Sequence, residues 1–296
     1  MEQHRIRANG LNFNVWRAGT GRPVLLLHGW PEFAAVWHKV MHRLENRFTL
    51  IAPDLRGFGD SDKPDPGATD KAGSEVHAAD MLAVLDAMGI GRCGIVAHDV
   101  GAYVAQSIAR PHPERAAGLF FFDCPYPGIG QRGAAPDHLK EIWYQFFHQL
   151  PWAAEMVGSS REACRLYFSH FLRHWSMRKD AFDDKDIEAW VDNFQKPGNL
   201  QGGFNWYISN NATRLQMLRG EAPTPMPITV PTCCRWGEGG SVLPAWWGDR
   251  MGEFFTDVDF QPLPGVGHFP HWEDPDLAST EIAGFFQKLP DAAWKG

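Results

Sequence analysis

The chain has 296 residues, 44% hydrophobic and 21% charged, which supplies one sizeable core and excludes a disordered, collagen-like or small disulfide-scaffold protein. Its net charge of -7 and pI near 6.0 argue against a nucleic-acid or anionic-membrane partner. Five cysteines without CxxC spacing and no run approaching membrane-spanning length point to a soluble, cytoplasmic protein with reduced thiols.

In chain order, residues 11–18 (LNFNVWRA) alternate as an edge hairpin strand does, and residues 24–27 (VLLL) are apolar throughout. Residues 48–52 (FTLIA) form a second such run, and residues 75–88 carry a helical stripe of Val76, Ala79, Leu82, Ala83 and Leu85. Cys93–Ala97 reads as a buried strand, Gly101–Ala109 as a helix and Leu119–Phe122 as the next strand. Apolar runs alternating with helices predict an α/β domain with a mostly parallel sheet covered on both faces.

From about Pro125 to Ala222 the rhythm changes. Helical patterns over Ile142–Met156, Glu162–Trp175 and Asp186–Gln195 occur without a convincing buried strand. Strands return at Ile228–Trp236 and Asp257–Leu263, and a helix over Leu277–Leu289 closes the chain. The expected organisation is a core domain of residues 1–124 and 223–296 with a helical cap of residues 125–222. That insertion holds five Trp, seven Phe and four Tyr of a chain that is 13% aromatic. Beyond ordinary packing, this predicts an aromatic-walled pocket for an apolar ligand.

Ala97-His98-Asp99-Val100-Gly101 follows a strand and opens a helix. Small residues on either side of the central position allow the sharp turn of a nucleophile elbow. Asp99 is either that nucleophile or the N-cap of an ordinary strand–helix unit. A carboxylate attacks an sp3 carbon bearing a good leaving group, and a helix N-terminus stabilises its charge.

These residues stand in a longer series: His28-Gly29-Trp30-Pro31-Glu32, Asp54 to Pro64 (DLRGFGDSDKP), His98-Asp99-Val100-Gly101-Ala102, Asn205-Trp206-Tyr207 and Gly265-Val266-Gly267-His268-Phe269. In this order the chain resembles the α/β-hydrolase superfamily, within it the branch of epoxide hydrolases and haloalkane or haloacetate dehalogenases. The resemblance implies a mostly parallel eight-stranded sheet with a helical cap inserted after the sixth strand. It implies Asp99 as nucleophile and His268 as general base, with His271 in a structural or surface role. The orienting acid often stands after the strand ending at Trp236-Gly237, where this chain has Gly240. Asp123, at the end of Leu119–Phe122, matches the alternative acid position, with Glu238 as fallback. The HGxP match implies an oxyanion hole from the backbone N–H groups of Trp30 and Val100, a cis bond before Pro31, and Phe33 and Trp37 at the pocket border.

Three positions separate the sub-branches. Haloalkane dehalogenases carry Trp after the nucleophile, where this chain has Val100, and haloacetate dehalogenases carry Arg where it has Val100 and Tyr103. Tyr207 matches the cap tyrosine that protonates an epoxide oxygen. The usual second tyrosine falls on Phe147, leaving Tyr144 or His148 as second donor, and Trp206 and Phe147 as substrate contacts. The resemblance thus favours hydrolysis of a small apolar epoxide to a diol through an Asp99 ester, without metal or organic cofactor, by a monomer or homodimer. Dehalogenation with the same Asp–His–Asp set and a catalytically silent binding protein are the rivals. His170 and His174, spaced i, i+4 without a third ligand, read as helix-surface residues.

Overall fold

The computed structural model describes residues 1–64 and 73–295. Its strands are β1 (Glu2–Ala8), β2 (Leu11–Ala18), β3 (Arg22–Leu27), β4 (Phe48–Pro53), β5 (Cys93–His98), β6 (Ala116–Phe122), β7 (Thr232–Gly237) and β8 (Val258–Leu263). They form one sheet in the order β1-β2-β4-β3-β5-β6-β7-β8. β1 and β2 pair antiparallel, as do β2 and β4, and every other neighbour is parallel.

The sheet edge differs from the sequence expectation. Asn9 (φ 47°) and Gly10 (φ 78°) close a two-residue hairpin that places β1 outside β2. An Asn-Gly pair suits that turn because both central residues take positive φ. β1 (EQHRIRA) is mostly solvent-exposed, whereas β2 lies between β1 and β4.

The inner strands behave as their composition predicts. Every residue of β5, β6 and β7 is buried, as parallel strands covered on both faces require. The flanking helices are α1 (His38–Leu44), α2 (Ser74–Ala87) and α3 (Val100–Ala109). Further helices α4 (Leu139–Ile142), α5 (Tyr144–Phe147), α6 (Ala153–Gly158), α7 (Arg161–Trp175), α8 (Asp184–Phe194), α9 (Asn199–Ser209) and α10 (Asn211–Arg219) lie between β6 and β7. α11 (Pro270–Glu273) and α12 (Pro275–Lys288) end the fold, with α1 packed on α12 and α2 on α3.

The segment expected as one helix over 142–156 is broken into α4, α5 and α6. Pro151 explains the main break, since it has no N–H to donate and its ring clashes with the preceding turn. α7 and α8 form where expected. Ser160 caps α7 by accepting the Ala163 N–H at 3.0 Å, and Asp183 and Asp186 form a reciprocal capping box on α8. His170 and His174 stack on each other along α7, and His174 Nε2 lies 2.8 Å from Glu141. Among the described residues, no helix is long and apolar enough to cross a membrane.

The helical segment meets the sheet domain through aromatic contacts centred on Trp30. Its fully buried indole stacks on Tyr144 (centroids 4.8 Å, 8° between planes) and meets Phe171, Trp175 and Tyr207 edge-on. Trp190 of α8 donates its indole N–H to the Pro31 carbonyl at 2.8 Å. Much of the aromatic excess thus serves packing between the two parts.

Candidate active site

Asp99 sits between the end of β5 and the start of α3 with φ 48° and ψ -118°. A non-glycine residue there is strained, and such strain persists only where the surroundings enforce it. Gly101 makes the turn possible: a Cβ at that position would stand 2.5 Å from the Leu27 carbonyl oxygen. Asp99 stands at the N-cap position of α3, but its side chain makes no capping hydrogen bond to the helix's first turn. Its carboxylate points back over the sheet. Oδ1 accepts the Trp30 N–H at 3.0 Å, and Oδ2 lies 3.8 Å from His268 Nε2. Oδ1 is therefore held by a backbone donor and Oδ2 faces the imidazole. The Trp30-Pro31 bond is cis.

His268 is fully buried, with Nδ1 3.9 Å from Asp123 Oδ1. Both gaps exceed hydrogen-bond length, so the ring stands between two carboxylates as a close electrostatic neighbour of each. Neither ring nitrogen has a hydrogen-bond partner. The loop that carries it is fixed through its backbone. Glu273 accepts the N–H groups of Gly267 and Phe269 at 3.0 and 3.1 Å, and the His268 N–H donates to the Trp175 carbonyl at 2.9 Å.

Asp123 follows β6 with φ 40° and accepts the Gly237 N–H at 3.3 Å through Oδ2. Gly237 itself has no room for a side chain, since a Cβ would meet the Gly267 carbonyl oxygen at 1.8 Å. That close approach holds the His268 loop against the end of β7. The empty acid position is equally informative: a Cβ on Gly240 would lie 3.5 Å from Asp123 Oδ1. The two sequence positions for the acid therefore converge on one place, and two carboxylates there would repel each other. Glu238, the fallback, is exposed.

Beneath these groups lies a network in which the sequence reading gave a role only to His271. Fully buried Glu32 accepts from His98 Nδ1 at 2.9 Å, His271 Nε2 at 2.9 Å and the Gly29 N–H at 2.6 Å. His98 Nε2 lies 2.7 Å from the His268 carbonyl oxygen. Both nitrogens of His98 thus face acceptor oxygens, so the ring is an imidazolium and has no lone pair for a metal. Burial opposes that charge, but the charge and hydrogen bond of Glu32 outweigh it and take His98 up to about 9. Burial also works against the Glu32 carboxylate, yet His98 and His271 hold it well below the usual range. His271 is therefore structural and buried, not at the surface. The only sequence sign was position: Glu32 follows the HGWP turn and His98 precedes Asp99.

This cation bears on the acids above it. Burial raises Asp99 to about 6, with His98 and the Trp30 and Val100 N–H groups opposing the rise. Burial likewise pushes Asp123 well up, against His98 and the Gly237 N–H. His268 goes the other way: burial first, then the charge of His98, holds it well below its ordinary value. At neutral pH the site combines an ionised Asp99 with a neutral imidazole.

Asp99 opens into a cavity lined by Val100, Tyr103, Tyr144, Trp206 and Tyr207, with Ile129, Ile142, Met217, Leu218, Val242, Leu243 and Trp247 among its apolar walls. Tyr144 and Tyr207 stand side by side, with ring centroids 5.4 Å apart and the rings edge to face. His148, the other candidate donor, does not line the cavity. Its Nε2 lies 2.6 Å from the Tyr167 hydroxyl, and burial followed by the Arg214 charge holds it well below its ordinary value. Three expected pocket residues are also displaced. Trp37 is fully buried against His271 (4.5 Å), Phe33 packs on Trp190, and Phe147 packs among Trp143, Trp152 and Tyr167. Each packs against another ring away from the cavity instead. Tyr103 and Arg214 line the cavity without having been singled out as site residues.

Comparison with known proteins agrees with this architecture. A family model described as the alpha/beta hydrolase fold matches residues 22–275. The soluble epoxide hydrolase of Corynebacterium sp. (strain C12) is 30% identical over 296 residues, covering 97% of each chain. Epoxide hydrolase 4 of Homo sapiens is 29% identical over 293 residues, 96% of this chain and 78% of that protein. The ligand-free structure of the epoxide hydrolase CorEH superposes with a TM-score of 0.83 at 27% identity, covering 98% of this chain and 99% of that one. The chain belongs to the α/β-hydrolase fold family, and it is a hydrolase.

Proposed function

We propose that the protein hydrolyses a small epoxide to a vicinal diol through a covalent ester on Asp99. The observation that carries this reading is one cavity holding the Asp99 carboxylate and the neighbouring Tyr144 and Tyr207. An epoxide oxygen stays attached as its C–O bond breaks and needs a proton donor at that moment. Two tyrosine hydroxyls, both pushed up by burial and therefore protonated, meet that need.

In the first step Asp99 Oδ2 forms a bond to a ring carbon, the ring C–O bond breaks, and the oxygen takes a proton from the tyrosine pair. His268 Nε2 then removes a proton from water, and the resulting hydroxide attacks Cγ of the ester. The Trp30 and Val100 N–H groups hold the charge that develops on Oδ1. Asp123 stabilises the imidazolium. The tetrahedral species collapses as its Cγ–Oδ2 bond breaks, so Oδ2 leaves on the substrate carbon as the diol's second oxygen, and His268 returns its proton to that oxygen. Asp99, now holding the oxygen of water as a carboxylic acid, gives up its proton through solvent, and the tyrosinate takes one up, which restores both groups.

The segment of residues 125–222 serves as the cap in this reading, supplying the donors while the sheet supplies the nucleophile. Five free, buried cysteines support a cytoplasmic, reducing setting, and the chain acts as a monomer or homodimer. The test is intact-mass spectrometry of His268→Gln incubated with a panel of epoxides and haloalkanes. A mass increase equal to the whole epoxide, located on the peptide containing Asp99, is expected. An active wild-type enzyme whose variant never gains that mass would refute the covalent route, and turnover of haloalkanes alone would refute the epoxide assignment.

A further inference from the structure

The cavity contains a cation that the epoxide reaction does not require. Arg214, on α10, lines it and is half-buried. Among the described residues, no carboxylate pairs with it. Its Nη1 donates to Gln145 Oε1 at 2.7 Å and its Nη2 to Asn211 Oδ1 at 3.0 Å, both neutral acceptors. A guanidinium offers five N–H donors, so three remain, and Nε is buried without a partner. The group also lies over the Phe146 ring at 4.6 Å, which fixes its plane.

The surroundings make this unusual. The remaining walls are largely aliphatic or aromatic, where an unpaired charge is costly and a ligand counter-charge is correspondingly effective. Tyr103, Tyr144 and Tyr207 are each within electrostatic reach of Arg214, and each is also within reach of Asp99. Substrate lying along this tyrosine cluster therefore meets the nucleophile and the guanidinium in the same cavity. A planar fork with free N–H groups matches a carboxylate best, because two parallel hydrogen bonds can form to its two oxygens.

We infer that Arg214, held by Gln145 and Asn211, is a carboxylate-binding subsite, and that the substrate is an epoxide bearing a carboxylate at its far end. This rests on the epoxide reading given above. It also revises the expectation of a wholly apolar substrate: the body of the molecule is apolar and its terminus is anionic. The competing role for Arg214 is structural, since Gln145 Nε2 donates in turn to the Tyr144 hydroxyl at 3.2 Å and could orient that donor.

The two roles separate in a selectivity measurement. Terminal epoxides carrying a carboxylate at graded distances, and their methyl esters, are turned over by wild type, Arg214→Gln and Arg214→Lys. For the best chain length, wild type should favour the acid over the ester in kcat/KM by about ten- to a hundredfold, as one charge-assisted contact gives. Arg214→Gln should abolish that ratio and Arg214→Lys should keep part of it. A wild type with no preference, or an Arg214→Gln variant that slows acid and ester equally, overturns the subsite. Calorimetric binding of saturated carboxylates against their esters is read in parallel on wild type. At least tenfold tighter binding of the acid supports the subsite, and equal binding overturns it, even if no epoxide is turned over and the epoxide reading itself fails.

Discussion

On the sheet side of the cavity, Glu32, His98, Asp99, Asp123 and His268 are charged or titratable, buried and fixed chiefly through backbone donors and acceptors. On the helical side, Tyr144, Tyr207, Trp206 and Arg214 come from α5, α9 and α10 and are fixed by side-chain contacts. The first set comes from the ends of strands or from short loops that follow them, where the sheet leaves the chain little freedom. The second depends on how separate helices pack. In the proposed reaction, bond making is thus tied to the sheet, while proton donation and fit to the substrate are tied to the packing of the helices.

The contrast can be broken most severely from the sheet side. Asp99→Ala should lower diol formation by at least about 10⁴-fold, the scale on which removing a covalent nucleophile acts, and gas chromatography of the diol checks it. From the helical side, Tyr144→Phe with Tyr207→Phe should slow ester formation by about 10²- to 10⁴-fold in rapid-quench experiments, with either single change costing less. Should the double variant retain wild-type rates, the roof would have no part in protonation.

A pH profile sharpens the difference further. Asp99 must be ionised to attack and titrates near 6, so kcat/KM should fall as pH drops through about 6. The decline should approach tenfold per unit for a single required deprotonation. Glu32→Gln removes the charge that keeps His98 cationic, so Asp99 loses part of its stabilisation and the acid limb should move to higher pH. An unmoved limb would mean that the buried network only holds the loop. The smallest effect belongs to the joint between the two sides. Trp190→Phe deletes the hydrogen bond to the Pro31 carbonyl and should cost about 1 kcal/mol of unfolding free energy, measured by urea denaturation.

The same contrast governs what could be read from the amino-acid sequence. β3, β5 and β6 are continuous apolar runs, and the residues after β5 and β6 are the polar Asp99 and Asp123, so strand ends and acids declared themselves together. β1 did not, because its residues are mostly polar and exposed and its only strong signal is the Asn9-Gly10 turn. Phe33, Trp37 and Phe147 were misplaced for a different reason. Aromatic residues near a motif have several apolar partners within reach, and only the packed structure selects one. Arg214 was illegible because a single arginine on a short helix ordinarily faces water. The spatial equivalence of positions 123 and 240 was likewise invisible, since it arises from strands β6 and β7 lying side by side.

Trp30 joins the two sides in a single residue. Its N–H holds Asp99 Oδ1, while its indole is clasped by Tyr144, Phe171, Trp175 and Tyr207 from the helices above. The roof and the charge-stabilising donor are consequently geared together. Redesign of the helical segment for a bulkier substrate has to preserve the seat of that indole, or the gain in room is offset by a donor turned away from the oxygen it serves. In the proposed reaction, substrate fit and charge stabilisation would share one pivot, tuned separately only by changes that leave it in place.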